Sequence, residues 1–169
     1  TDPKGPALRL LVSVLTRGEA SRLHRRLVEQ QQLAIDIGGY WDEGFDPGLL
    51  WFMATLPEGG DVAALEQALD AELARVVREG ISDEELRRAK NLAATSMWRS
   101  LATINGKAQL LGEYEVVHGD YRRLFDVPAQ LEAVTRADVQ AVAAELLRRD
   151  RRTVGILEPP ADASAGSGS

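Results

Sequence analysis

The residues best equipped for chemistry fall in one stretch, "SRLHRRLVEQQQLAID" at 21–36, which holds His24, Glu29 and Asp36. An imidazole beside carboxylates suggests a metal-activated water. A hydrolytic zinc helix of this kind requires H-x-x-E-H, with two histidines on one helix face and a glutamate as base. Glu29 lies about a turn and a half beyond His24 and off its face. The chain has two histidines, His24 and His118, too far apart in sequence for a local two-histidine site. His24 therefore reads as a surface or partly packed residue. His118, in "VVHGDY", reads as a helix-end residue whose cation suits the negative end of the helix dipole.

Other chemistries fail on residue type. Without cysteine there are no disulfides, no thiol nucleophile and no thiolate zinc site. Neither G-x-S-x-G nor G-x-x-x-x-G-K-[ST] occurs. The stretch "GGYWDEGFDPG" (38–48) is rich in glycine but acidic, the wrong sign for cradling phosphate. Its Asp42, Glu43 and Asp46 lack calcium-loop spacing and read as a hairpin loop. Trp41, Trp51 and Trp98 suit core packing or interface anchoring. The expectation is no catalytic residue and no metal ligand in this chain.

The elements that would position any site follow from periodicity. Leu8, Leu11, Val12 and Leu15 mark a helix over 6–16, with Pro6 in its first turn and Gly18 after it. A second helix begins near Ala20 or Ser21 and buries Leu23, Leu27 and Val28. Two strand-like runs follow, 33–41 with Leu33, Ile35 and Ile37 inward, and 48–57, more continuously apolar and so more central. They form a hairpin. Val62, Leu65, Leu69, Leu73, Val76 and Val77 stripe the next helix, stopped by Gly80. Ser82 and Glu85 form a capping box opening a helix to about residue 104, with Leu86, Ala89, Ala93, Met97, Leu101 and Ile104 inward. Further helices are expected over 105–120 and after "TRAD", the latter burying Val139, Val142, Ala143, Leu146 and Leu147. A closing strand is expected at "RTVGILEP", with Ile156 buried alongside Leu50 and Phe52 of the hairpin. This order predicts an α+β fold, an antiparallel sheet with helices on one face, mostly helical by residue count.

Composition bounds the partners. Apolar residues make up 44% and charged residues 27%, ordinary for a globular domain. A net charge of −6 argues against nucleic acid. The local cluster Arg148, Arg149, Arg151 and Arg152 reads as a solvated helix end. No apolar run approaches the ~18 residues of a membrane span. The opening "TDPKGPALRL" reads as the interior of a longer chain, a linker feeding a helix. Residues 1–158 are expected to form one domain and 159–169 a flexible tail or linker.

Four motifs in sequence carry a resemblance: the Gly-x-x-Ser-Arg-Leu run at 18–23, "LVEQQQLA" at 27–34, "DPGLL" at 46–50 and "GISDEELRRAKN" at 80–91. Together they resemble the insulinase/pitrilysin-type zinc peptidases, the group that includes the mitochondrial processing peptidase, across about residues 1–158. The similarity is to the second, inactive domain rather than the zinc-bearing one. It implies helices covering an antiparallel sheet, with two such halves enclosing unfolded peptide. Zinc would be bound by a domain not present here, and the partners would be a sister catalytic domain and a homologous subunit. The family's opening strand is missing, which leaves a sheet edge free and makes a homodimer of the chain an expectation. The family's substrate-holding Arg and Tyr fall at Val28 and Ile35, so that role is not carried over. Two functions follow from the resemblance: a non-catalytic wall of a peptidase chamber, or a core-type assembly subunit acting only through protein contacts. The compartment is open, with the periplasm suggested by the family.

Overall fold

The computed structural model describes residues 4–42 and 48–157. Helix α1 (Gly5–Thr16) starts with proline in its first turn, where a missing N–H costs nothing. It is the centre of the fold. Leu10, Leu11, Val14 and Leu15 are all fully buried, because later elements surround it. After the Gly18 turn, Ser21 accepts from Arg25 N and the chain passes into a π-helical stretch, His24–Gln30. Gln32 then takes φ 51°, and Leu33 N and Ala34 N both donate to Leu27 O.

Strands β1 (Asp36–Trp41) and β2 (Leu50–Thr55) pair antiparallel, with Tyr40 opposite Trp51 and Gly39 opposite Phe52. These two are the whole sheet among the described residues. Ile37, Trp41, Leu50 and Phe52 turn toward the helices and pack in or against the core. The loop residues Glu43 and Asp46 and the tail 159–169 lie outside the described residues.

Helix α2 (Val62–Glu79) is capped by Asp61 accepting from Ala64 N, and buries Leu65, Leu73 and Val76. Helix α3 (Asp83–Leu101) opens with the expected capping box: Ser82 Oγ accepts from Glu85 N and Glu85 accepts from Ser82 N. Helices α4 (Ile104–His118), α5 (Val127–Ala133) and α6 (Arg136–Leu146) follow, with a 3-10 turn at Tyr121–Asp126 before α5. A second capping box, Thr135 with Asp138, opens α6. Helices α3, α5 and α6 all pack on α1. The architecture is the expected α+β one.

Four expectations need correction. The second apolar run is not the more central strand: among the described residues β2 pairs with β1 alone, and Trp51, Met53, Ala54 and Thr55 are exposed while Ile37 of β1 is buried, because the helices pack on β1. Ile35 is 62% exposed, because the Gln32 turn delays the strand to Asp36 and breaks the period-two pattern at 33–35. Ile104 is 89% exposed. The long helix ends at Leu101, and Thr103 caps a new one by accepting from Gly106 N at 3.1 Å, which turns Ile104 out of the α3 stripe. Residues 152–157 form no strand and Ile156 is 58% exposed. That segment leaves the body where Arg152 binds Glu66 and Asp70 of α2, and it pairs with neither strand of the sheet.

Gly80 sits at φ 73°, ψ −157°, a region open essentially to glycine alone, and a Cβ there would lie 3.1 Å from Gln140 Oε1. Gly80→Ala is therefore expected to destabilise by about 1–3 kcal/mol. The shift in thermal midpoint measures it, and an unchanged midpoint would show that the α2–α3 turn relaxes freely.

Candidate functional site

The structure corrects one expectation about the residues that looked closest to a metal site: the π-helical stretch, with its five-residue repeat, turns Glu29 onto the face of His24 rather than off it. His24 is partly buried in the π-helical stretch, with Nδ1 3.7 Å from Glu29 Oε1. Asp36 begins β1 and is exposed. Among the described residues no group of three or more His, Asp and Glu side chains is placed to hold a metal ion. One imidazole with one loosely held carboxylate does not fit a structural or a catalytic zinc, each of which takes three or four protein ligands. His118 ends α4, its ring 4.5 Å from that of Tyr114, on a cleft of about 300 Å³ shared with Pro6, Arg9, Arg123 and Asp126.

The two positions where the resemblance places Arg and Tyr also diverge. Val28 packs against the core, whereas Ile35 faces solvent ahead of β1. Neither supplies a polar group.

Two features escaped the sequence reading. The first is an ionic hub. Arg22 donates to both oxygens of Glu85, at 2.6 and 2.8 Å, and to Gly80 O at 3.1 Å, while its Nη1 lies 3.8 Å from the buried Glu72. One guanidinium thus joins the chain after α1, the end of α2 and the cap of α3. Burial opposes ionisation of Glu85, but the hydrogen bonds from Arg22 and from Ser82 outweigh it and hold the carboxyl down at about 2. The "SRL" run offered a signal, since an arginine flanked by buried Ser21 and Leu23 needs an internal partner.

The second feature is the outward face of the hairpin. Tyr40, Trp51 and Met53 stand together there, 49%, 42% and 63% exposed. The two rings stack at 6.1 Å and 17°. Cross-strand register puts them side by side. The sequence showed the tryptophan and tyrosine but not which sheet face they occupy, because both strands are nearly all apolar.

These observations define a class: an α+β half-domain with helices on one sheet face, an apolar aromatic surface on the other, and no metal-holding cluster among the described residues. The family profile described as "Peptidase M16 inactive domain" matches residues 1–93. The chain belongs to this family. It is 30% identical to the solved "Inactive Peptidase Domain" of a Bordetella parapertussis protein, with a TM-score of 0.82 over 91% of this chain and 83% of that one. An uncharacterized zinc protease of Mycobacterium leprae is 32% identical over 90% of this chain, and one of Streptomyces coelicolor 28% identical over 98%. The chain spans about a third of the length of these curated relatives, 34% and 36%. A protease from Helicobacter pylori shares the fold, with a TM-score of 0.80 at 24% identity.

Proposed function

We propose that this chain is the non-catalytic domain of a zinc-dependent endopeptidase. It walls a chamber that takes in unfolded peptide, and it pairs with a zinc-bearing sister domain and a homologous subunit. The observation that carries the reading is the match in sequence and fold to an inactive peptidase domain. Two further features support it. The donor set of the described residues does not fit zinc. The outward hairpin face bears Tyr40, Trp51 and Met53, side chains suited to apolar contact with a partner or an extended peptide. Val28 and Ile35 leave the wall without the family's polar pair, so substrate would be held by shape and apolar contact here. Zinc chemistry would belong to the other domain, and no step of it is assigned to these residues.

The test measures zinc content and chelator-sensitive cleavage of a quenched fluorescent peptide. It is run on this chain alone and on the chain mixed with the zinc-bearing domain of its parent protein. The chain alone is expected to hold no stoichiometric zinc and to cleave nothing, and to raise cleavage when added to the zinc-bearing domain. Chelator-sensitive cleavage by the chain alone would overturn the reading, as would no effect of adding it.

A further inference from the structure

Charge is spread unevenly along this chain. No acidic residue falls between Glu85 and Glu113, yet Arg87, Arg88, Lys90, Arg99 and Lys107 all do, in a chain of net charge −6. Lys90 is tied down, donating to Glu132 O at 2.5 Å. Arg87, Arg88, Arg99 and Lys107 make no ion pair among the described residues.

This basic stretch is the α3–α4 helical hairpin, and its tip carries apolar side chains outward. No residue between Ala93 and Tyr114 is fully buried. Met97 and Leu101 pack on the core from the inner side of α3, while Trp98 on the outer side is 56% exposed. Ile104, the first residue of α4, is 89% exposed. Both stand within about a turn of the connection, and Arg99 and Lys107 are exposed near them in sequence. Thr103 fixes the shape of the tip, its Oγ1 accepting from Gly106 N and donating to Ser100 O, each at 3.1 Å. Arg17 adds a cation on the same helix, with Nη2 3.4 Å from Ser96 Oγ.

We propose that the α3–α4 tip anchors the protein on an anionic lipid surface. Trp98 and Ile104 enter the boundary between headgroups and acyl chains, and Arg99 and Lys107 meet lipid phosphates. Exposed apolar side chains set among unneutralised cations, with no acid nearby, are the charge and shape complement of such a surface. Tryptophan suits that depth, since its ring is apolar and its N–H is wet. A narrow two-helix tip offers a protein partner little flat area, whereas a bilayer admits single side chains without a matching surface. Arg87 and Arg88 lie about three turns back along α3 and add attraction at longer range. The net charge of −6 opposes approach, but it is screened beyond about 8–10 Å at physiological salt, so the tip's own charge acts at contact.

Flotation with vesicles of phosphatidylglycerol or of phosphatidylcholine tests the anchor, joined to tryptophan quenching by lipids brominated in their acyl chains. The native chain is expected to float with phosphatidylglycerol, less so as salt is raised, and to stay behind with phosphatidylcholine. Arg99→Glu/Lys107→Glu should weaken flotation by at least about tenfold. Both side chains are exposed, and near-ultraviolet dichroism checks that the variant folds. Quenching seen in the native chain should disappear in Trp98→Ser, which keeps Trp41 and Trp51. A native chain that does not float overturns the proposal, as does equal flotation by the folded charge variant. Equal quenching of the native chain and Trp98→Ser also overturns it, by putting another face on the lipid. So does flotation lost when the chain is paired with the zinc-bearing domain of its parent protein, which would assign the tip to a protein contact.

Discussion

Leu11→Ala should lower the unfolding free energy by about 3–5 kcal/mol, the upper part of the range for leucine truncation in a rigid core. Leu11 is fully buried in α1, and α1 is held between β1, α3, α5 and α6. A hole there cannot close by moving one neighbour, because each neighbour is also packed against something else. The cost therefore combines lost transfer energy with a cavity that persists. Against the 5–15 kcal/mol typical of a domain, this is a large fraction of the total. Urea denaturation checks it, with the midpoint falling and the slope kept. Leu73→Ala in α2, at the rim of the core and 8% exposed, should cost less, about 2–3 kcal/mol. Equal midpoints for the two variants would show that α1 is not the centre of the packing.

Arg22→Ala has the second largest expected effect, about 2–4 kcal/mol. Removing one partner of a buried ion pair usually costs about 3–5 kcal/mol, because the remaining charge is left in a poor solvent. Here the figure is lowered because Arg22 and Glu85 each keep some contact with water, 17% and 18% of their side chains. The variant leaves Glu85 and Glu72 facing one another's field without the guanidinium, and Gly80 O loses its donor. Glu85 also predicts the pH dependence. Its folded pKa of about 2 is below the ordinary 4.5, so the native state gains from its ionisation at pH above 4.5. That gain is lost as pH falls from 4.5 toward 2. Glu85→Gln should flatten the acid limb of the stability curve in that window, and an unchanged limb would mean that Arg22 does not hold the proton off.

Much of this protein was legible before folding because its signals are local. Capping boxes at Ser82–Glu85 and Thr135–Asp138, the Gly80 stop and the leucine stripes of α1 and α2 depend on residues within a turn or two of one another. The motifs of the inactive peptidase domain are local runs too, and their order along the chain pointed to the family. That two histidines far apart and no cysteine leave no local H-x-x-E-H or thiolate zinc motif was a matter of counting residue types.

Tertiary structure decided what depends on distant neighbours. Ile35, Ile104 and Ile156 are apolar residues in apolar patterns, and each is exposed, because a turn at Gln32, a new helix at Thr103 and an unpaired end at 152–157 remove the surface that periodicity assumed. Arg22 and Glu85 are far apart in sequence, and only the packing of α2 and α3 against the chain after α1 makes them a pair. The outward face of Tyr40, Trp51 and Met53 follows from which side of the hairpin α1 covers. Hydrophobicity states that a side chain gains by leaving water; which side chains find a place to go is set by the elements that reach them.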